Sequence, residues 1–173
     1  VLYGLGTEND NLPGFITICP TLAHGGVNNW GAAFLPAYCQ GTPIGNASIQ
    51  ADKAFVRHIR NELINGTTQR KQLDFIAKVN REHLALSGAD LALEGRINSF
   101  ELAYRMQSMM PEAQDVNGES DATKKMYGMD SAVTENFGRQ CLMARRFLER
   151  GVRFVQVTHS DGEVQWDQHS NLF

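Results

Sequence analysis

Near the end of the chain, His159, Asp161, Glu163, Asp167 and His169 place two imidazoles and three carboxylates within eleven positions. Carboxylates and neutral imidazoles are good ligands for zinc and other divalent cations. In extended geometry Asp167 and His169 project to the same side, because side chains on a strand alternate with a period of two. The cluster follows Val152-Arg-Phe-Val-Gln-Val157, a run that reads as a buried strand by length and composition. Open α/β sheets bind their ligands at the carboxyl ends of strands, and His159 and Asp161 follow directly on such an end. A blander reading is also open: a polar loop with solvated histidines, in which Trp166 packs for structural reasons. Two ligands do not complete a site, so a metal here needs donors from elsewhere.

Other residue types of interest are less organised. His24, beside Gly25-Gly26, has the glycine-flanked setting of a histidine that donates to an oxyanion, but a plain loop explains it equally. His58 and His83 lie in helical stretches among charges and read as solvated. Gly4-Leu-Gly6 lacks the Lys-Ser/Thr of a phosphate loop, and no Gly-x-Ser-x-Gly elbow is present. Glu94 and Glu101, seven apart, are not a convincing acid–base pair. Cys19, Cys39 and Cys141 contain no Cys-x-x-Cys, which argues against a structural zinc or a redox motif. A Cys19–Cys39 bridge stays open, and Cys141 reads as a small core residue on a helix. Arg145 and Arg146 read as a solvated helix surface held in ion pairs.

The elements that must position these groups come from a chain of 173 residues, 42% hydrophobic and 20% charged. That is about one domain, long enough to bury a core. A net charge of -3 and the lack of a basic stripe argue against nucleic acid as a partner. No window approaches the roughly 18 apolar residues of a membrane span. The chain opens on Val1 without a signal peptide and reads as an internal fragment of a longer protein, residues 1–173 forming one partial domain.

Phe15-Ile-Thr-Ile-Cys19, bounded by Gly14 and Pro20, predicts a strand. Residues 20–50 read as irregular loop with short helical turns near Trp30 to Leu35, and residues 51–64 as mildly helical. From Thr67, the spacing of Leu73, Ile76, Ala77, Asn80 and Leu84 predicts a helix ending at Ser87-Gly88. Asp90 is placed to cap a second helix, which the sequence ends before Pro111. The short connection predicts an antiparallel helical hairpin. Residues 111–130 read as a polar surface loop. Ser131 opens a third helix, with Val133, Phe137, Cys141, Ala144 and Leu148 on its apolar face and Gly151 past its end. Helix, glycine and apolar strand form the α-to-β half of a βαβ unit, so the fold class is α/β.

An ordered set of segments carries a family resemblance. Asn11-Leu-Pro-Gly-Phe15, Leu35-Pro-Ala-Tyr38, Gln69-Arg-Lys-Gln-Leu-Asp74, Glu94 through Gln107, Tyr127-Gly128, Phe137-Gly-Arg-Gln-Cys-Leu142, Ala144-Arg-Arg146, Glu149 through Gln156 and Trp166-Asp-Gln-His169 occur in that order. Over nearly the whole chain this resembles the bacterial family called domain of unknown function 1501, which is sulfatase-like and similar to the alkaline phosphatase and sulfatase superfamily. The resemblance implies an alkaline-phosphatase-like, mostly parallel sheet flanked by helices, with residues 21–130 as a loop and helical insertion or cap. It implies a divalent-metal site (zinc, calcium or similar) with Asp167 and His169 as a ligand pair, supported by His159 and Asp161. The nucleophile and further ligands would lie outside this chain. The implied activity is metal-dependent hydrolysis of phosphate or sulfate esters, small or on a sulfated or phosphorylated glycan. The alternative is an inactive sulfatase-like protein that binds glycans, cell-surface polymers or a protein partner. A periplasmic or secreted location is implied by the resemblance alone.

Overall fold

A computed structural model describes residues 1–22, 25–56, 59–88 and 90–159. Three strands, β1 (Phe15–Ile18), β2 (Thr42–Ile44) and β3 (Phe154–Val157), form a sheet in the order β2-β1-β3. Both pairings are parallel, with Ile18 opposite Ile44 on one side and Val157 on the other. Among the described residues five α-helices accompany them: α1 (Leu2–Leu5), α2 (Gly66–Ser87), α3 (Leu91–Gln114), α4 (Asp121–Met126) and α5 (Glu135–Glu149). The architecture is mixed α/β, a small parallel sheet flanked by helices, as the βαβ signal predicts.

β1 is central, and Ile16, Thr17 and Ile18 are all 0% exposed. A strand covered on both faces reads as a continuous apolar run, which is why this one was visible in sequence. β2 was not. Its Thr42-Pro-Ile44 is three residues long, and Pro43 confines it to an edge position. The loop expected over 20–50 therefore contains a strand as well as two short 3-10 turns, Gly26–Asn29 and Ala37–Cys39.

Ile16, Ile18, Ile44, Val155 and Val157 pack with Met106, Met110 and Ala113 of α3 and Leu142, Met143 and Phe147 of α5. Full burial of one such side chain contributes about 1.5–3 kcal/mol, so these residues dominate the core. The opposite sheet face begins with Phe15 and Phe154, whose ring centroids lie 5.0 Å apart.

The helical hairpin forms as expected. Asn65 caps α2 through the Thr68 amide, and Asp90 caps α3 through the Ala92 and Leu93 amides. Tyr104 donates to the Gly66 carbonyl, Arg70 pairs with Glu101, and the Gln107 amide donates to Gln69. From Gly66–Tyr104 to Arg70–Glu101 the numbers rise in α2 and fall in α3, so the helices are antiparallel. Among the described α2 residues only Leu73 is buried. The hairpin is anchored at its root and stands away from the core toward its tip.

Four expectations are corrected. α3 does not stop before Pro111; it runs through it to Gln114. The proline costs one backbone bond, but Met110 and Ala113 sit fully buried beneath the continuing turn. Arg146 also satisfies the Ala113 and Glu112 carbonyls at its end. Residues 111–130 are accordingly not one loop, since they hold this helix end and α4, whose N-cap Ser120 accepts from the Thr123 amide. Among the described residues of 51–64 the only helical element is the turn Ala51–Lys53.

The fourth correction concerns α5. It begins at Glu135, and its buried residues are Gly138, Gln140, Leu142, Met143 and Phe147 rather than the expected stripe. Val133 is 93% exposed and precedes the helix. A Cβ at position 138 would collide with the Tyr127 carbonyl oxygen, so glycine lets the start of α5 lie against the end of α4. That contact sets the rotation of the helix. Gly151 then adopts φ 85°, the left-handed turn expected between α5 and β3.

Candidate functional site

The carboxyl ends of the three parallel strands lie side by side, and α5 begins beside them. β1 ends at Ile18, and Cys19 then turns with φ 48°, a left-handed conformation uncommon for a residue with a side chain. Its amide donates to the Ile44 carbonyl at 2.9 Å, and the Ala47 amide donates to the Pro20 carbonyl at 3.0 Å. The exits of β1 and β2 are thereby tied together. The Ala51 amide donates to Asn136 Oδ1 at 2.7 Å, which brings the Ala51–Lys53 turn to the first turn of α5.

β3 leaves the sheet through Thr158 and His159. The exposed His159 ring meets Phe137 of α5 edge-on, with centroids 5.0 Å apart and planes at 71°. The Thr158 Oγ1 is buried and has no hydrogen-bond partner among the described residues. An imidazole braced by an aromatic ring, preceded by a buried hydroxyl, is thus placed where a parallel sheet presents ligand-binding groups.

Of the four metal ligands expected from sequence, His159 is placed here. Asp161, Asp167 and His169 lie outside the described residues, as does His24. Among the described residues no group of three or more His, Cys, Asp or Glu side chains comes together in a way that could hold a metal. His159 is one side chain of a type that a divalent cation accepts as a ligand. His83 is exposed on α2, as read from its charged surroundings.

Cys19 was missed as a member of this end of the sheet. It is 2% exposed, and burial pushes its thiol up to about 11. Cys19 and Cys39 are both free, so the bridge left open by the sequence is not formed. Pro20 and the strand ahead of it were the only signals for the turn. Cys141 is half-buried, and burial raises its thiol also. Glu101 is occupied structurally: the Arg70 guanidinium hydrogen-bonds it and holds its carboxyl below the usual range.

A family model described as a protein of unknown function (DUF1501) matches residues 1–173. The chain belongs to this family. Neither the curated proteins nor the solved structures contain a match to it. In this DUF1501 chain no described helix is long and apolar enough to cross a membrane. The site therefore rests on the sheet end itself: a neutral imidazole can bind a cation or hold a proton, and the neighbouring hydroxyl can donate or accept one hydrogen bond.

Proposed function

We propose that this DUF1501 chain forms part of a sulfatase-like, metal-dependent hydrolase of phosphate or sulfate esters, with an alkaline-phosphatase-like sheet. The observation that supports this reading is His159 at the carboxyl end of β3, next to the central strand and braced by Phe137. Asp167 and His169 are the proposed ligand pair, with His159 and Asp161 completing or orienting it. A bound divalent cation would polarise the ester and stabilise charge on the displaced oxygen. The chain's own contribution is positional. Phe137 packs edge-on against the His159 ring and orients it at the end of β3. The attacking group is proposed to come from outside residues 1–173.

The test is metal content and turnover of the full-length protein. Elemental analysis should find a divalent cation, reduced by at least tenfold in His169→Ala and in Asp167→Ala. Aryl sulfate or aryl phosphate hydrolysis should fall with it. Unchanged metal content in both variants would remove the pair from the site, and absence of metal-dependent turnover on either ester would refute the hydrolase.

A further inference from the structure

A second site lies at the root of the helical hairpin. A groove of about 630 Å³ opens between the segment leading into α2 and the middle of α3. Asn11, four residues ahead of β1, is part of its wall, whereas His159 lies past the opposite end of the sheet. The volume is that of a small-molecule site.

Its lining has a definite chemistry. Arg60 and Arg105 both border it, and no carboxylate does among the described residues. No salt bridge among the described residues engages either arginine. The contrast with Arg70 on the same hairpin is direct. Arg70 is committed to Glu101 at 2.6 Å and stacks over the Tyr104 ring at 5.2 Å. Arg105 feels the Glu101 carboxylate electrostatically, but that carboxylate is hydrogen-bonded to Arg70, so both guanidinium groups at the groove keep their donors for an anion.

The remaining lining is amide and hydroxyl. Asn61, Gln69, Gln107 and Ser108 border the groove. The one bond between Gln107 Nε2 and Gln69 Oε1, 3.1 Å, leaves the Gln69 amide hydrogens and the Gln107 carbonyl oxygen for a ligand. Ser108 Oγ donates to its own helix at Arg105 and keeps acceptor capacity. Side chains offering both donors and acceptors match hydroxyl groups, which do the same.

We propose that this groove binds a small anionic sugar. Arg60 and Arg105 clamp its sulfate, phosphate or carboxylate, and the amides of Asn61, Gln69 and Gln107 take its hydroxyls. The assignment stands on the groove alone and does not depend on a metal at the sheet end.

Titration calorimetry on the full chain, with glucose 6-sulfate, glucose 6-phosphate, glucuronate and uncharged glucose as separate probes, tests it. At least one charged sugar should bind while glucose gives no measurable heat, and the probe that binds identifies the anionic group. Arg105→Gln and Arg60→Gln, both at exposed positions, should each weaken that binding about tenfold or more. Arg139→Gln, which removes a guanidinium engaged by Glu135 away from the groove, should leave it unchanged. No binding by any charged sugar, equal binding of glucose, unchanged affinity in both groove variants, or an equal loss in Arg139→Gln would each overturn the proposal.

Discussion

At the scale of single residues, the sheet end combines one accessible group and one withheld one. His159 is exposed beyond β3, whereas Cys19, one residue beyond β1, is sealed in the core. The thiolate is the reactive form of cysteine, and a thiol held near 11 is ionised at pH 8 in only about one molecule in a thousand. Steric exclusion slows it further. Cys141, half-buried on α5, is raised by burial too but is more accessible. Alkylation of the native protein at pH 8, followed by peptide mass spectrometry, should modify Cys141 at least tenfold faster than Cys19. Equal rates would show that the exit of β1 opens readily and that the left-handed turn at Cys19 is not held by its bond to Ile44. The sequence marked His159 because its type and its place after an apolar run are both local. It did not mark Cys19, because burial and a backbone turn come from β2 and the helices, which are distant in the chain.

At the scale of elements, what was legible had a local cause. β1, β3, both hairpin helices and the cap at Asp90 follow from runs, periods and polar residues that sit within a few positions of the effect. The errors share a non-local cause. α3 continues past Pro111 because the core beneath Met110 and the guanidinium of Arg146 favour it. α5 turns a different face inward because Tyr127 approaches Gly138. β2 exists because β1 pairs with it, not because Thr42-Pro-Ile44 prefers extension. The face of α5 is open to direct measurement. Leu142→Ala should cost about 2–5 kcal/mol of unfolding free energy, since Leu142 is 0% exposed. Val133→Ala should change stability by less than about 0.5 kcal/mol, since that side chain meets solvent. Denaturant titrations of both would check this, and the reverse order would restore the stripe that periodicity suggested.

At the scale of the whole molecule, a charge network among the described residues ties the helices to each other rather than building a site. Glu119, between α3 and α4, accepts from Arg145 at 2.7 Å and from Arg146 at 2.6 Å. Arg146 also bonds the Glu112 and Ala113 carbonyls, so α5, which lies on the sheet, is joined to the end of α3. Arg145 and Arg146 are ion-paired as the sequence suggested, but they join elements rather than forming a solvated helix surface. The bonds from Arg146, then Arg145, hold the Glu119 carboxyl below its ordinary 4.5. A group whose folded value is depressed stabilises the fold above its unfolded value, and that contribution disappears as pH falls through the folded one. Glu119→Gln removes the titrating charge from both states. Its melting temperature should therefore lie below that of the parent at pH 7, and the gap should narrow as the pH is taken from about 5 toward 2. Thermal melts at unit pH intervals measure it. A gap that stays constant across this range would mean that Glu119 acts through shape rather than charge, and that the two arginines are satisfied equally by a neutral amide.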